Sequence, residues 1–169
     1  MANVSEPDDA PGSSKSPSEV RRIDDVVELV DLADLVDVSL LRVSGERHEG
    51  DEDPEPGQSM HILQHADEAH IEVRCVMEVV TAEGRFIADV ASRYDYLEPL
   101  AVDDAVIEEF TARVGVMATY PFVREAIHQT AARLRLPAPL LGLLRPGQVE
   151  LTPHDGPVDP RSIPTRSAE

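Results

Sequence analysis

Tryptophan is absent from the 169 residues, and three tyrosines and three phenylalanines are all the benzenoid rings and phenols the chain has to fill a core. Packing must therefore rest on Val, Leu, Ile and Ala, helped by burial of surface between subunits. There is one cysteine, Cys75, so no disulfide can form within the chain, which suits a reducing compartment. Basic residues are few: fifteen Lys plus Arg stand against thirty-three Asp plus Glu, a net charge of −18. A nucleic-acid binder working through phosphate contacts needs the opposite balance, so that class is excluded. Long apolar runs are lacking too. The longest stretch free of charged residues, Pro56 to Ala66, is polar and far shorter than the roughly 20 apolar residues that span a bilayer. The start, Met1 to Asp9, has neither a basic segment nor an apolar one, and a cytoplasmic location is the expectation.

What is present divides into a core and two flanks. Residues 1–17 mix Pro, Ser, Gly and acids without an apolar period and are expected to be a disordered arm. Residues 146–169 carry Pro146, Pro153, Pro157, Pro160 and Pro164 among polar neighbours and are expected to be a second disordered tail. Between them, 18–145 has the length of one domain. Ser18 can cap a helix running to about Asp34, with Val20, Ile23, Val26, Val27 and Val30 on its apolar side. Val36 to Glu46 alternates, with a phase slip at Leu40-Leu41 that predicts a bulged strand. Six acids crowd Glu46 to Glu55 and keep that stretch a solvated loop. A short strand is expected around Met60 to His65. Ile71, Val73, Cys75, Met77 and Val79 then alternate with polar residues, Thr81 to Gly84 turns the chain with Gly84 supplying a positive φ, and Phe86 to Tyr96 alternates on the return. This is a long antiparallel hairpin. Asp103 or Asp104 caps a helix ending near Gly115 to Thr119, and Pro121 starts a second one closed by Pro137 and Pro139. Strands followed by helices give an α+β domain.

For catalysis the chain offers little: no phosphate-cradling Gly-rich loop, no Gly-x-Ser-x-Gly elbow, and no partner for Cys75, which shares the apolar face of its strand. No cofactor is expected, and no enzymatic activity. His61, His65 and His70, with Asp67 and Glu68 between them, are the residues to weigh for a metal. On an extended strand His61 and His65 lie four residues apart at roughly 3.3 Å each, too far for one ion. Solvated histidines are the ordinary reading, and a metal-dependent enzyme using all three is the alternative. The acidic excess is that of a soluble surface, with an acidic adaptor protein as a third reading.

The last helix carries a recognisable pattern. Ala118-Thr119-Tyr120-Pro121-Phe122-Val123-Arg124-Glu125-Ala126-Ile127, followed by Ala132-Arg133-Leu134-Arg135-Leu136-Pro137-Ala138-Pro139-Leu140-Leu141, resembles the C-terminal signature of the SecB family of export chaperones. The resemblance runs from about Val36 to Gly147. It implies a four-stranded antiparallel sheet packed by a long C-terminal helix, in a homotetramer built as a dimer of dimers with those helices between two sheets. It also implies an ATP-independent holdase for unfolded or nascent polypeptides, with the export motor as a further partner. The sequence departs from the family pattern at Gly142-Leu143-Leu144-Arg145-Pro146-Gly147 and in the Pro-rich tail. The extra helix before the first strand resembles the SecB-like chaperones that serve toxin–antitoxin modules, so preprotein and antitoxin both stand as clients.

A holdase must expose apolar and aromatic side chains that many segments can cover. The candidates are Phe86, Val90, Tyr94 and Tyr96 on the return strand, then Tyr120 and Phe122, then Leu140, Leu141, Leu143 and Leu144. Phe86 and Val90 also suit the core. Ala126, on the stripe of the last helix, is expected at a subunit interface, so that Ala126→Glu would dissociate the multimer.

Overall fold

The computed structural model of the chain describes residues 20–49 and 54–144. The expected arm at 1–17, the Ser18 cap, the tail at 146–169, residues Arg145 to Gly147 and positions 50–53 of the acidic loop lie outside these.

Strands β2 (Ala33–Arg47), β3 (Gly57–Ala66), β4 (His70–Val80) and β5 (Gly84–Tyr96) form an antiparallel sheet in the order β2-β5-β4-β3. The period-two reading holds on the helix-facing side of β4 and β5, although Arg74, Val76, Asp89 and Ala91 on the other side are buried as well. Ile71, Val73, Cys75, Met77 and Val79 of β4 and Phe86, Ala88 and Val90 of β5 share one face and are all buried. Large side chains there contribute roughly 1.5–3 kcal/mol each. The register of β2 on β5 shifts between Leu40 and Arg42, the bulge expected at Leu40-Leu41, and shifts again between Leu35 and Asp37.

Gly84 closes the β4–β5 turn for a reason other than the expected positive φ. A Cβ on it would stand 2.5 Å from the Glu46 carbonyl oxygen on the neighbouring strand, so close backbone approach selects glycine. Thr81 completes the turn, its Oγ1 accepting from the Glu83 and Gly84 amides at 3.2 Å.

The buried sheet face is covered by one continuous helical rod. Helix α2 (Asp104–Phe110) passes through a π turn (Thr111–Gly115) into α3 (Val116–Arg133). The expected break before Pro121 does not occur: Pro121 sits inside α3. The proline sacrifices only the bond to the Met117 carbonyl, and the packing of Val116, Val123, Ile127 and Ala131 into the core holds the rod together. Gly115 lets that rod touch the sheet, since a Cβ there would meet Val73 Cγ2 at 2.5 Å. Thr119 adds a polar rivet: its hydroxyl lies 2.6 Å from Ser92 Oγ on β5 and 2.7 Å from the Gly115 carbonyl. Ala126 belongs to this subunit core and is buried, so Ala126→Glu reports on folding rather than on an interface.

The N-terminal helix is much shorter than expected. Arg21–Ile23 forms strand β1, which pairs in parallel with β6 (Leu100–Val102), and only Val26–Leu32 is helical (α1). Asp25 caps α1 with its side chain accepting from the Val27 amide at 3.3 Å. The β-branched residues before it are better suited to strand pairing than to extending the helix. Ile23, Leu29 and Leu100 are fully buried, so this two-stranded clip docks on the main core. Among the described residues no helix is long and apolar enough to cross a membrane.

Candidate functional site

Helix α3 ends in a complete cap. Arg135 takes the left-handed conformation with φ 55°, its amide donates to the Ala132 carbonyl at 3.0 Å, and the Leu136 amide reaches back to the Ala131 carbonyl at 2.9 Å. These are the two bonds of a Schellman ending, here with arginine where glycine is usual. The cap reverses the chain, and Pro137 and Pro139 keep the next residues from helix, leaving 137–144 an irregular segment that runs back along α3.

That segment is fastened at defined points. Leu136 and Leu141 are buried in the core cluster and Leu144 packs against it. The Tyr120 hydroxyl donates to the Gly142 carbonyl at 2.7 Å. Burial pushes the Tyr120 hydroxyl's pKa upward, against the opposing pull of Arg124, whose guanidinium carbon sits 6.0 Å from the ring centroid. The phenol therefore remains a donor at neutral pH. Between these anchors the other leucines face outward: Leu140 is 93% exposed and Leu143 82%. An open groove of about 370 Å³ lies between strap and helix, lined by Pro121, Arg124, Glu125 and His128 on one side and Pro139, Leu140 and Leu141 on the other. Phe122, 45% exposed, stands next to Pro121 on the helix.

The ten residues singled out from sequence thus separate. Phe86, Val90, Tyr94 and Tyr96 are buried on the helix-facing side of β5, and the Tyr94 ring packs edge-on against Phe110 with centroids 5.1 Å apart. Tyr120 and Leu141 are buried anchors of the strap, Leu144 is partly buried, and Phe122, Leu140 and Leu143 meet solvent. Sequence reasoning missed a second apolar surface on β2, where Leu35, Val36, Leu40 and Val43 are exposed along one edge of the sheet. The alternation of Val36, Val38 and Leu40 signals a strand, and only the sheet order makes that strand an edge.

It also missed an ion pair on the opposite sheet face. Arg74 and Asp89 are fully buried, with Arg74 Nε 2.7 Å from Asp89 Oδ1 and Nη2 2.5 Å from Oδ2. Such a two-pronged pair fixes the register of β4 on β5. Cys75, buried on the helix side, has its thiol pushed up to about 12 by burial and then by the Asp89 charge. It is a packing residue and a poor nucleophile. Of the histidines, His65 and His70 come together with Asp67 at the β3–β4 turn, whereas His61 lies farther along β3.

No protein-family model matches the chain. The SecB-like chaperone SmegB of Mycolicibacterium smegmatis is 35% identical to it over 129 residues, which span 76% of this chain and 87% of SmegB. Among solved structures, the Mycobacterium tuberculosis Rv1957 SecB-like chaperone, in complex with a ChAD peptide from the Rv1956 HigA1 antitoxin, matches with a TM-score of 0.58 at 21% identity, covering 70% of this chain and 92% of that one. The shared fold includes the four-stranded antiparallel sheet and the long C-terminal helix laid on it. With that architecture and the extent of the SmegB match, the chain belongs to the family of SecB-like chaperones.

Proposed function

We propose that this chaperone is an ATP-independent holdase that captures unfolded or nascent polypeptide on the strap and groove beside α3, and that its client is an antitoxin. The observation that carries the reading is the pairing of fastened backbone with unfastened side chains. Leu141 and the Tyr120–Gly142 bond hold the strap down while Leu140, Leu143 and Phe122 leave apolar surface exposed among the described residues. Such a platform needs no order–disorder transition of its own to accept a client, and its contacts are apolar and therefore tolerant of sequence. The antitoxin client is favoured by the Rv1957 structure, which holds an antitoxin peptide. The export motor belongs to the preprotein alternative and has no part in this reading.

The functional unit is 18–145, in the cytoplasm, as a homotetramer. Support for assembly comes from the exposed apolar β2 edge, where Leu40 is 60% exposed, because an unprotected edge of this length invites pairing with a second copy. Light scattering is expected to give about four times the 18.5 kDa chain mass. The decisive experiment for the function is suppression of aggregation of a thermally unfolding reporter without nucleotide. Suppression near one reporter per assembly supports the reading, and a requirement for ATP or a lack of suppression contradicts it. A peptide array of antitoxin and preprotein segments then separates the two client classes.

A further inference from the structure

The β3–β4 turn brings together a ligand set with no part in client capture. His65 is the penultimate residue of β3, Asp67 and His70 flank the turn, and one ligand atom from each lies within 4.8 Å of the others. The arrangement is built rather than incidental. Asp67 Oδ1 accepts from the Ala69 amide at 2.8 Å, the His70 amide at 2.9 Å and His70 Nδ1 at 3.0 Å, while the Asp67 amide donates to the His70 carbonyl at 3.0 Å. These bonds fix the carboxylate and leave its second oxygen for another partner. The two imidazole rings stand edge to face with centroids 6.0 Å apart, both half-buried.

We propose that His65, Asp67 and His70 form a binding site for a borderline divalent transition cation of the zinc type. Two imidazoles and a carboxylate are a ligand set such ions take, leaving a fourth position for water. Bonds of about 2.0–2.1 Å place tetrahedral ligands roughly 3.3–3.5 Å apart, so the set closes by rotation of the half-buried rings toward the free carboxylate oxygen. The amides already bonded to Asp67 supply the outer partners that orient metal ligands. Strand pairing sets Glu72 opposite His65, which adds negative charge, while Asp95 opposite His70 is paired with Arg93 at 2.7 Å. The Glu68 carbonyl of the same turn accepts from the Leu100 amide at 2.9 Å, and the Ala69 carbonyl from the Tyr96 amide at 2.8 Å. An ion there would clamp the turn on which β6, and through it β1, is hung.

The test is calorimetric titration of the chelator-treated full chain with Zn²⁺, with Co²⁺ absorption in the visible as a coordination signature. One ion per chain is expected, with a rise in melting temperature and intense Co²⁺ bands. His65→Ala and Asp67→Asn, the latter keeping an oxygen to cap the turn, should each weaken binding by at least about tenfold, and His61→Ala should not. No heat or Co²⁺ bands in the wild-type chain up to millimolar metal overturns the proposal, and so does binding that both His65→Ala and Asp67→Asn leave unchanged.

Discussion

Tyr120 on α3 donates its hydroxyl to the carbonyl of Gly142, 22 residues later, across 2.7 Å. This bond and the burial of Leu141 decide which leucines of the strap face the core and which face solvent.

Tyr120→Phe keeps the ring and removes the donor, leaving the Gly142 carbonyl to solvent. The expected cost is about 1 kcal/mol, localised to the strap. Limited proteolysis should cut within 137–144 faster while the melting temperature falls by only a few degrees. Equal cleavage rates would show that Leu141 alone secures the segment.

Asp89→Ala removes the two-pronged carboxylate partner of the fully buried Arg74 guanidinium. Loss of one partner of such a pair costs about 3–5 kcal/mol. The double change Arg74→Met with Asp89→Leu should recover most of it, since the burial cost of both charges disappears together. Denaturant melts of the three proteins check this.

Cys75 should resist alkylation in the native protein, because its thiol is buried and pushed up to about 12. Labelling is expected only as the chain unfolds, at a rate that tracks global opening. Rapid labelling at neutral pH under native conditions would place Cys75 in a region that opens locally.

How far the sequence reveals this molecule depends on the length scale of each signal. The β4–β5 hairpin is legible because its period of two runs for eleven and thirteen residues, and the Leu40-Leu41 bulge is legible as a slip in that period. Strands β1 and β6 are three residues each and exist only because Arg21 to Ile23 finds Leu100 to Val102 far along the chain; no local pattern encodes that pairing. Pro121 carries a local rule for breaking a helix, and tertiary packing on both sides of it overrides the rule. The strap was legible as composition, two prolines and four leucines. Which leucines turn inward depends on Tyr120 and on the Arg135 reversal, both features of three-dimensional geometry. The histidines illustrate the same limit: spacing along one strand separates His61 from His65, whereas pairing of β3 with β4 sets His65 beside His70.

The central claim is that the outward leucines of the strap capture the client and the inward one holds the strap. Its most direct test is a binding titration of an unfolded, fluorescently labelled client against the wild-type chain, the Leu140→Ser/Leu143→Ser variant and the Leu141→Ser variant, with a thermal melt of each. The account predicts that the double variant melts like the wild type and binds about tenfold or more weakly, the equivalent of roughly 1.4 kcal/mol or more. It predicts that Leu141→Ser loses about 2–4 kcal/mol of stability. Undiminished client binding by a folded Leu140→Ser/Leu143→Ser protein would contradict it.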